Sequence, residues 1–128
     1  MMAEKDGEVK SDKPILVVDD DPFILDFLKT VLEAGGYAVL TASDGREALE
    51  VMDSEQPGLI LLDLSMPVLD GSGFLEQMRL KPPPRPPVVV MSAFDNTRSL
   101  ARQLDAEGWL QKPFDLDTLL GIVDRLLR

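Results

Sequence analysis

Apolar residues follow two alternating rhythms along this chain. Short unbroken runs, ILVV at 15–18, LILL at 59–62 and VVVM at 88–91, have the length and composition of strands covered on both faces. Between them lie longer stretches in which apolar residues recur every three or four positions, as on one face of a helix. Asp21 and Pro22 open the first of these as N-cap and first helical residue. Phe23, Ile24, Phe27, Leu28, Val31 and Leu32 are expected on its buried face, and Gly35-Gly36 ends it. YAVLTA at 37–42 reads as a strand. Asp44 and Glu47 form a capping box for a helix that turns Ala48, Leu49 and Met52 inward, and Pro57-Gly58 stops it. After LILL, the loop SMPVLDG leads to a helix with Phe74, Leu75 and Met78 on one side.

The run KPPPRPP at 81–87 fits neither a helix interior nor a central strand, because proline has no amide to donate. It reads as a stiff linker before VVVM. Asp95 is the expected cap of a helix with Leu100, Ala101 and Leu104 inward. WLQ at 109–111 reads as a short edge strand. Asp115 caps the last helix, whose inward face is Leu116, Leu119, Leu120, Val123, Leu126 and Leu127. Five βα units in succession predict an α/β fold. Its sheet is parallel and five-stranded, with right-handed crossovers, helices on both faces and strand order 2-1-3-4-5.

The 128 residues suffice for one domain with a sizeable core. Residues 14–128 are read as that domain. Residues 1–13, charged and without periodicity, are read as a disordered tail. No apolar run approaches membrane-spanning length and no signal peptide opens the chain. The chain lacks both cysteine and histidine, which excludes disulfides, thiolate or imidazole metal ligands, and Ser-His or Cys-His catalysis. Its net charge of −10 speaks against direct binding of nucleic acid.

A doubly wound sheet binds ligands beyond the carboxyl ends of its strands, at the switch point between strands 1 and 3. Strand 1 ends in Asp19-Asp20, strand 3 in Asp63, strand 4 in Ser92 and strand 5 in Lys112-Pro113. Each alone is an ordinary cap, turn or surface residue. Asp21 is fully explained as a cap. Jointly, the others bring three carboxylates, a hydroxyl and an ammonium to one crevice. Three carboxylates repel one another and call for a cation. A set of oxygen ligands suits a hard one, Mg²⁺ or Mn²⁺. A carboxylate beside such an ion can attack phosphorus and form an aspartyl phosphate.

In order and spacing, ILVVDDDP at 15–22, LILLDLSMPVLDG at 59–71, VVVMSAF at 88–94 and WLQKPF at 109–114 resemble bacterial two-component response-regulator receiver domains, of flavodoxin-like fold. The resemblance spans residues 14–128. It implies that Asp63 is the phosphoacceptor and that Asp20 and Asp63 ligate Mg²⁺ directly. Asp19 would act through water, and the backbone carbonyl of Ser65 would complete the shell. It further implies that Lys112 pairs with the phosphoryl oxygens, that Ser92 carries the hydroxyl that moves to them, and that Trp109 is the switch aromatic. Pro113 is expected to hold its loop in the unusual peptide geometry of the family. The implied donor is a phosphohistidine on a histidine kinase or phosphotransfer protein. The implied output is a downstream effector, or a fused output domain, met through the face of helix 4, strand 5 and helix 5. The implied compartment is the cytoplasm.

Some features depart from the family pattern. The span from Ser92 to Lys112 is shorter than usual, with Ala106-Glu107-Gly108 in place of Ala-Gly-Ala. Trp109 is bulkier than the usual Tyr or Phe. The proline run at 82–87 reads as a rigid loop. Ser65 and Phe94, which would flank the attacking water, lack acid or amide groups, so slow self-dephosphorylation is expected. Two other readings compete. One is a pseudo-receiver that serves only as a phosphorylation-independent interaction module. It typically lacks an acidic ligand, the acceptor or the lysine, all of which are here. The other is a Mg²⁺-dependent phosphohydrolase, which usually carries a second carboxylate where this chain has Ser65. The chain reads as a free-standing receiver or as one part of a longer protein. Arg98, Arg102, Asp105 and Asp124 on the signalling helices give no support for a homodimer.

Overall fold

The computed structural model describes residues 12–66 and 70–127. The tail expected at 1–13 falls, apart from Asp12 and Lys13, outside the described residues, as do positions 67–69 of the SMPVLDG loop. The element order is β1 (Ile15–Val18), α1 (Pro22–Ala34), β2 (Val39–Ala42), α2 (Gly45–Ser54), β3 (Leu59–Asp63), α3 (Gly71–Arg79), β4 (Val88–Ser92), α4 (Thr97–Gln103), β5 (Gly108–Gln111) and α5 (Leu116–Leu127). The strands form one parallel sheet in the order β2-β1-β3-β4-β5. Among the described residues no helix is long and apolar enough to cross a membrane.

The unbroken apolar runs follow from the two-sided cover. Side chains alternate along a strand, so Leu16, Val18, Ile60, Leu62, Val88 and Val90 face one core with Ala48, Phe74, Leu75, Met78 and Ala101. Ile15, Val17, Leu59, Leu61, Val89 and Met91 face the other, against Leu28 and Leu32 of α1 and Leu119 and Val123 of α5. The caps read from the sequence at Asp21, Asp44 and Asp115 form as expected, Asp115 accepting from the Thr118 amide at 2.7 Å. The Asp21 carboxylate accepts from the Phe23 amide at 2.9 Å and Asp44 from the Glu47 amide at 2.8 Å. Glu47 in return accepts from the Ser43 amide.

Four details differ from the sequence reading. Phe23 and Phe27 are 84% and 51% exposed. The buried stripe of α1 runs through Ile24, Leu25, Leu28, Val31 and Leu32, and Phe27 lies one helical step of about 100° away from Leu28. Pairing in β2 starts at Val39 rather than Tyr37, because Gly36, at φ 97°, still belongs to the helix exit. Leu116 is exposed at the first turn of α5. Asp95 does not cap α4: the N-cap is Asn96, without a side-chain capping bond, and Asp95 Oδ1 lies 3.5 Å from the side-chain Nε2 of Gln111.

The proline loop is held by one side chain. The Arg85 guanidinium donates to the carbonyls of Lys81 and Arg79, each at 3.0 Å, supplying donors that the prolines lack. The Pro83-Pro84 peptide within it is cis.

Candidate functional site

The sheet's carboxyl edge carries Asp19 and Asp20 just past β1, Asp63 and Ser92 as the last residues of β3 and β4, and Lys112 just past β5. The backbone ladder continues one step beyond the strands and fixes these positions. The Asp19 amide donates to the Ala42 carbonyl at 3.1 Å, Leu64 to Met91 at 3.0 Å, and Lys112 to Ser92 at 2.7 Å. Gly71 opens α3 directly behind Asp63. A Cβ there would lie 2.7 Å from the Asp63 carbonyl oxygen and 2.8 Å from Leu64 Cα, so only glycine allows so close an approach.

Asp19, Asp20 and Asp63 each bring a carboxylate oxygen within 4.8 Å of the others. Asp19 and Asp63 are buried and Asp20 is exposed, which leaves the cluster open to solvent on the Asp20 side. Lys112 Nζ donates to Asp19 Oδ2 at 2.7 Å and to Asp63 Oδ1 at 3.4 Å. Asp19 Oδ1 also accepts from the Asp21 amide at 3.0 Å. One ammonium thus faces three carboxylates.

Asp63 shows the imbalance. Burial, and then the charge of Asp19, push its carboxyl up to about 6, against the opposing pull of Lys112 and a backbone hydrogen bond from Ser65. For Lys112, burial disfavours the charge. The hydrogen bond to Asp19 and the charges of Asp19 and Asp63 outweigh it, so the ammonium is held above its ordinary range. Like charges that, among the described residues, meet one ammonium are a fit for a hard divalent cation. The donors are all oxygen, which suits Mg²⁺ or Mn²⁺ over softer metals.

Ser92 is buried, and its hydroxyl accepts from the Phe94 amide at 2.9 Å. The Lys112-Pro113 peptide is cis. Trp109 sits opposite Val90 on the edge strand β5, 41% exposed, and Phe94 is 53% exposed. Both are rim residues rather than core. Ser65 is exposed beside Asp63. Sequence reasoning missed Thr97. It is fully buried and its hydroxyl donates to the Phe94 carbonyl at 2.6 Å. The available signal was a threonine three residues after Phe94, the spacing of a local side-chain-to-backbone bond.

A family model described as "Response regulator receiver domain" matches residues 15–124. Response regulator MprA of Mycolicibacterium vanbaalenii is 40% identical over 116 residues, 89% of this chain and 50% of that protein. The alkaline phosphatase synthesis transcriptional regulatory protein PhoP of Bacillus subtilis is 39% identical over 118 residues, 91% of this chain and 49% of that protein. The chain thus spans about half the length of these relatives. Among solved structures, the receiver domain of Francisella response regulator 1452 superposes with a TM-score of 0.82 at 34% identity, covering 91% of this chain and 97% of that one. Response regulator protein TrrA of Thermotoga maritima, solved in complex with Mg(2+)-BeF, gives 0.80 at 35% identity, covering 90% and 99%.

Proposed function

The chain belongs to the response regulator receiver domain family, the signalling module of two-component systems, and from that membership we propose that Asp63 is its phosphoacceptor. The observation that supports this most is the cluster of three carboxylates within 4.8 Å, with Lys112 bonded to Asp19 and Asp63. Asp20, Asp63 and the carbonyl of Ser65 would hold Mg²⁺, or Mn²⁺ in its place, with Asp19 acting through water. When bound, the ion supplies the positive charge that the carboxylates and the incoming phosphoryl oxygens require. The Mg(2+)-BeF complex of TrrA supports carrying that chemistry to this chain.

An Asp63 carboxylate oxygen attacks the phosphorus of a donor phosphohistidine. The new P–O bond forms as the P–N bond breaks, and the nitrogen keeps the electron pair and takes a proton from water. With its carboxyl at about 6, Asp63 is largely ionised at neutral pH and available as nucleophile. Lys112, close to both Asp19 and Asp63, meets one phosphoryl oxygen, and the Ser92 hydroxyl another. The chain then acts as a switch rather than a turnover enzyme, with self-phosphorylation from a donor and slow hydrolysis of the product. Its donor is a histidine kinase or a histidine phosphotransfer protein. Its output is an effector or an output domain met through α4, β5 and α5, with Trp109 on that face, and its compartment is the cytoplasm.

The test is the intact mass of the chain after incubation with acetyl phosphate and Mg²⁺, beside Asp63→Asn. One added phosphoryl group, absent in the variant and without the metal, is expected. No adduct from acetyl phosphate or from a histidine kinase would sink the reading and leave the phosphorylation-independent interaction module.

A further inference from the structure

Thr97 opens α4, a seven-residue helix whose N-cap, Asn96, makes no capping bond. The threonine is 0% exposed, so its hydroxyl must find partners inside. It donates to the Phe94 carbonyl at 2.6 Å and lies 3.4 Å from the Ser92 carbonyl. The Thr97 amide reaches the same Phe94 carbonyl at 3.3 Å. On the other side of Phe94, its own amide donates to the Ser92 hydroxyl oxygen at 2.9 Å. The Phe94 backbone is therefore held at both ends, by Ser92 at its nitrogen and by Thr97 at its oxygen. The Ser92 carbonyl is itself tied to the Lys112 amide at 2.7 Å. The backbone on both sides is fixed, and the freedom left to Ser92 is the turn of its side chain.

We propose that Thr97 is a positioning residue whose hydroxyl locks the 92–97 turn, so that the Phe94 amide holds the Ser92 hydroxyl in a resting orientation in competition with a phosphoryl group on Asp63. This rests on the phosphoacceptor reading of Asp63. A serine side chain moves between discrete staggered wells. Leaving the present well breaks the bond from the Phe94 amide, and that amide then needs another partner. A turn pinned by Thr97 cannot swing to find one. Without the hydroxyl, the Phe94 peptide follows or turns to solvent. The Phe94 ring, half exposed, offers little resistance to that movement. Thr97 thereby sets how readily the switch is thrown without touching the reacting atoms.

The test is a beryllofluoride titration with Mg²⁺, followed by Trp109 fluorescence and paired with the rate of mass increase under acetyl phosphate. It compares the unmodified chain with Thr97→Val, Thr97→Ser, Ser92→Ala and the Ser92→Ala/Thr97→Val double variant. Thr97→Val is expected to bind beryllofluoride about threefold to fivefold more tightly and to be modified faster by a similar factor, the worth of one hydrogen bond. Thr97→Ser, which keeps the hydroxyl, should stay within about twofold of the unmodified chain. In the Ser92→Ala background the valine should change nothing, since the side chain it releases is gone. Thr97→Ala replaces the valine variant if circular dichroism shows the latter unfolded. No gain in Thr97→Val, an equal gain in Thr97→Ser, or a gain that survives in Ser92→Ala overturns the proposal. If the unmodified chain gives neither response nor adduct, the phosphoacceptor reading falls and takes this one with it. An adduct on the unmodified chain with Thr97→Val unshifted overturns this one alone.

Discussion

Lys112 Nζ lies 2.7 Å from Asp19 Oδ2, closing an ion pair between residues 93 apart in sequence, and the Asp19 side chain is wholly buried. The second contact, to Asp63, is longer at 3.4 Å. The resting ammonium therefore serves Asp19 first. Asp63 is left with burial and a like charge, which is why its carboxyl rises to about 6. The residue proposed to react is the less compensated of the two.

Metal-free stability should therefore depend on pH through Asp63. A carboxyl raised from 3.8 to about 6 favours the fold in its protonated form. Its contribution is complete below the unfolded value and is lost as pH rises through about 6. The shift corresponds to about 3 kcal/mol for this buried group. Urea unfolding in EDTA should show the unmodified chain losing about that much, relative to Asp63→Asn, between about pH 4 and pH 8. Mg²⁺ at the upper pH should restore most of it. Parallel pH profiles for the two proteins would contradict the assignment.

Lys112→Met removes the one cation that, among the described residues, is bonded to Asp19 and Asp63. Two buried carboxylates then face each other without the ammonium, and we expect a loss of about 2 kcal/mol in EDTA. Mg²⁺ should recover a larger share of stability in this variant than in the unmodified chain, while modification by acetyl phosphate slows. Equal gains from Mg²⁺ in the two proteins, read as shifts in melting temperature, would show that the lysine and the metal do not answer the same charge.

Gly71→Ala tests the packing behind the acceptor. The added methyl would meet backbone atoms of Asp63 and Leu64 at under 3 Å, and these cannot swing aside as a side-chain tip does. Destabilisation of about 1–3 kcal/mol is expected, with weaker Mg²⁺ binding as Asp63 is displaced. Gly121→Ala is the contrast. Nothing lies within 4 Å of that position, and replacing a mid-helix glycine should stabilise by up to about 1 kcal/mol.

Phe94→Glu places a carboxylate at a position proposed to flank the attacking water. Loss of the phosphoryl group, followed by mass after donor removal, should become several-fold faster. A lifetime equal to that of the unmodified chain would refute a role for this position in hydrolysis.

Much of this arrangement was legible because it rests on period and punctuation. Runs such as ILVV and LILL, and caps such as Asp21-Pro22 and Asp44, are local signals, and strand ends carry Asp19, Asp63, Ser92 and Lys112 to one edge once the winding is known. What sequence did not resolve depends on angles and tertiary partners. Phe23 and Phe27 are apolar and helically spaced, yet a rotation of one step puts them in solvent. Asp95 has the chemistry of a cap, but the chain turns one residue later, and Thr97 supplies the local bond from inside. The raised Asp63 carboxyl required the folded arrangement, since it follows first from burial and then from the nearby charge of Asp19, which Lys112 only partly offsets.

The strand order also governs when the pocket comes into being. Asp19 follows the first strand and Lys112 the last, so their pairing is among the longest loop closures in the described chain. During synthesis, the three carboxylates emerge from the ribosome well before the lysine that bonds two of them. If Asp63 is the acceptor, a chain whose final strand, β5, has not docked lacks Lys112 beside its carboxylates, and the pocket proposed to take a phosphoryl group is not yet complete. The proposed chemistry would then also report on folding: a molecule able to accept a phosphoryl group would be one whose sheet is complete.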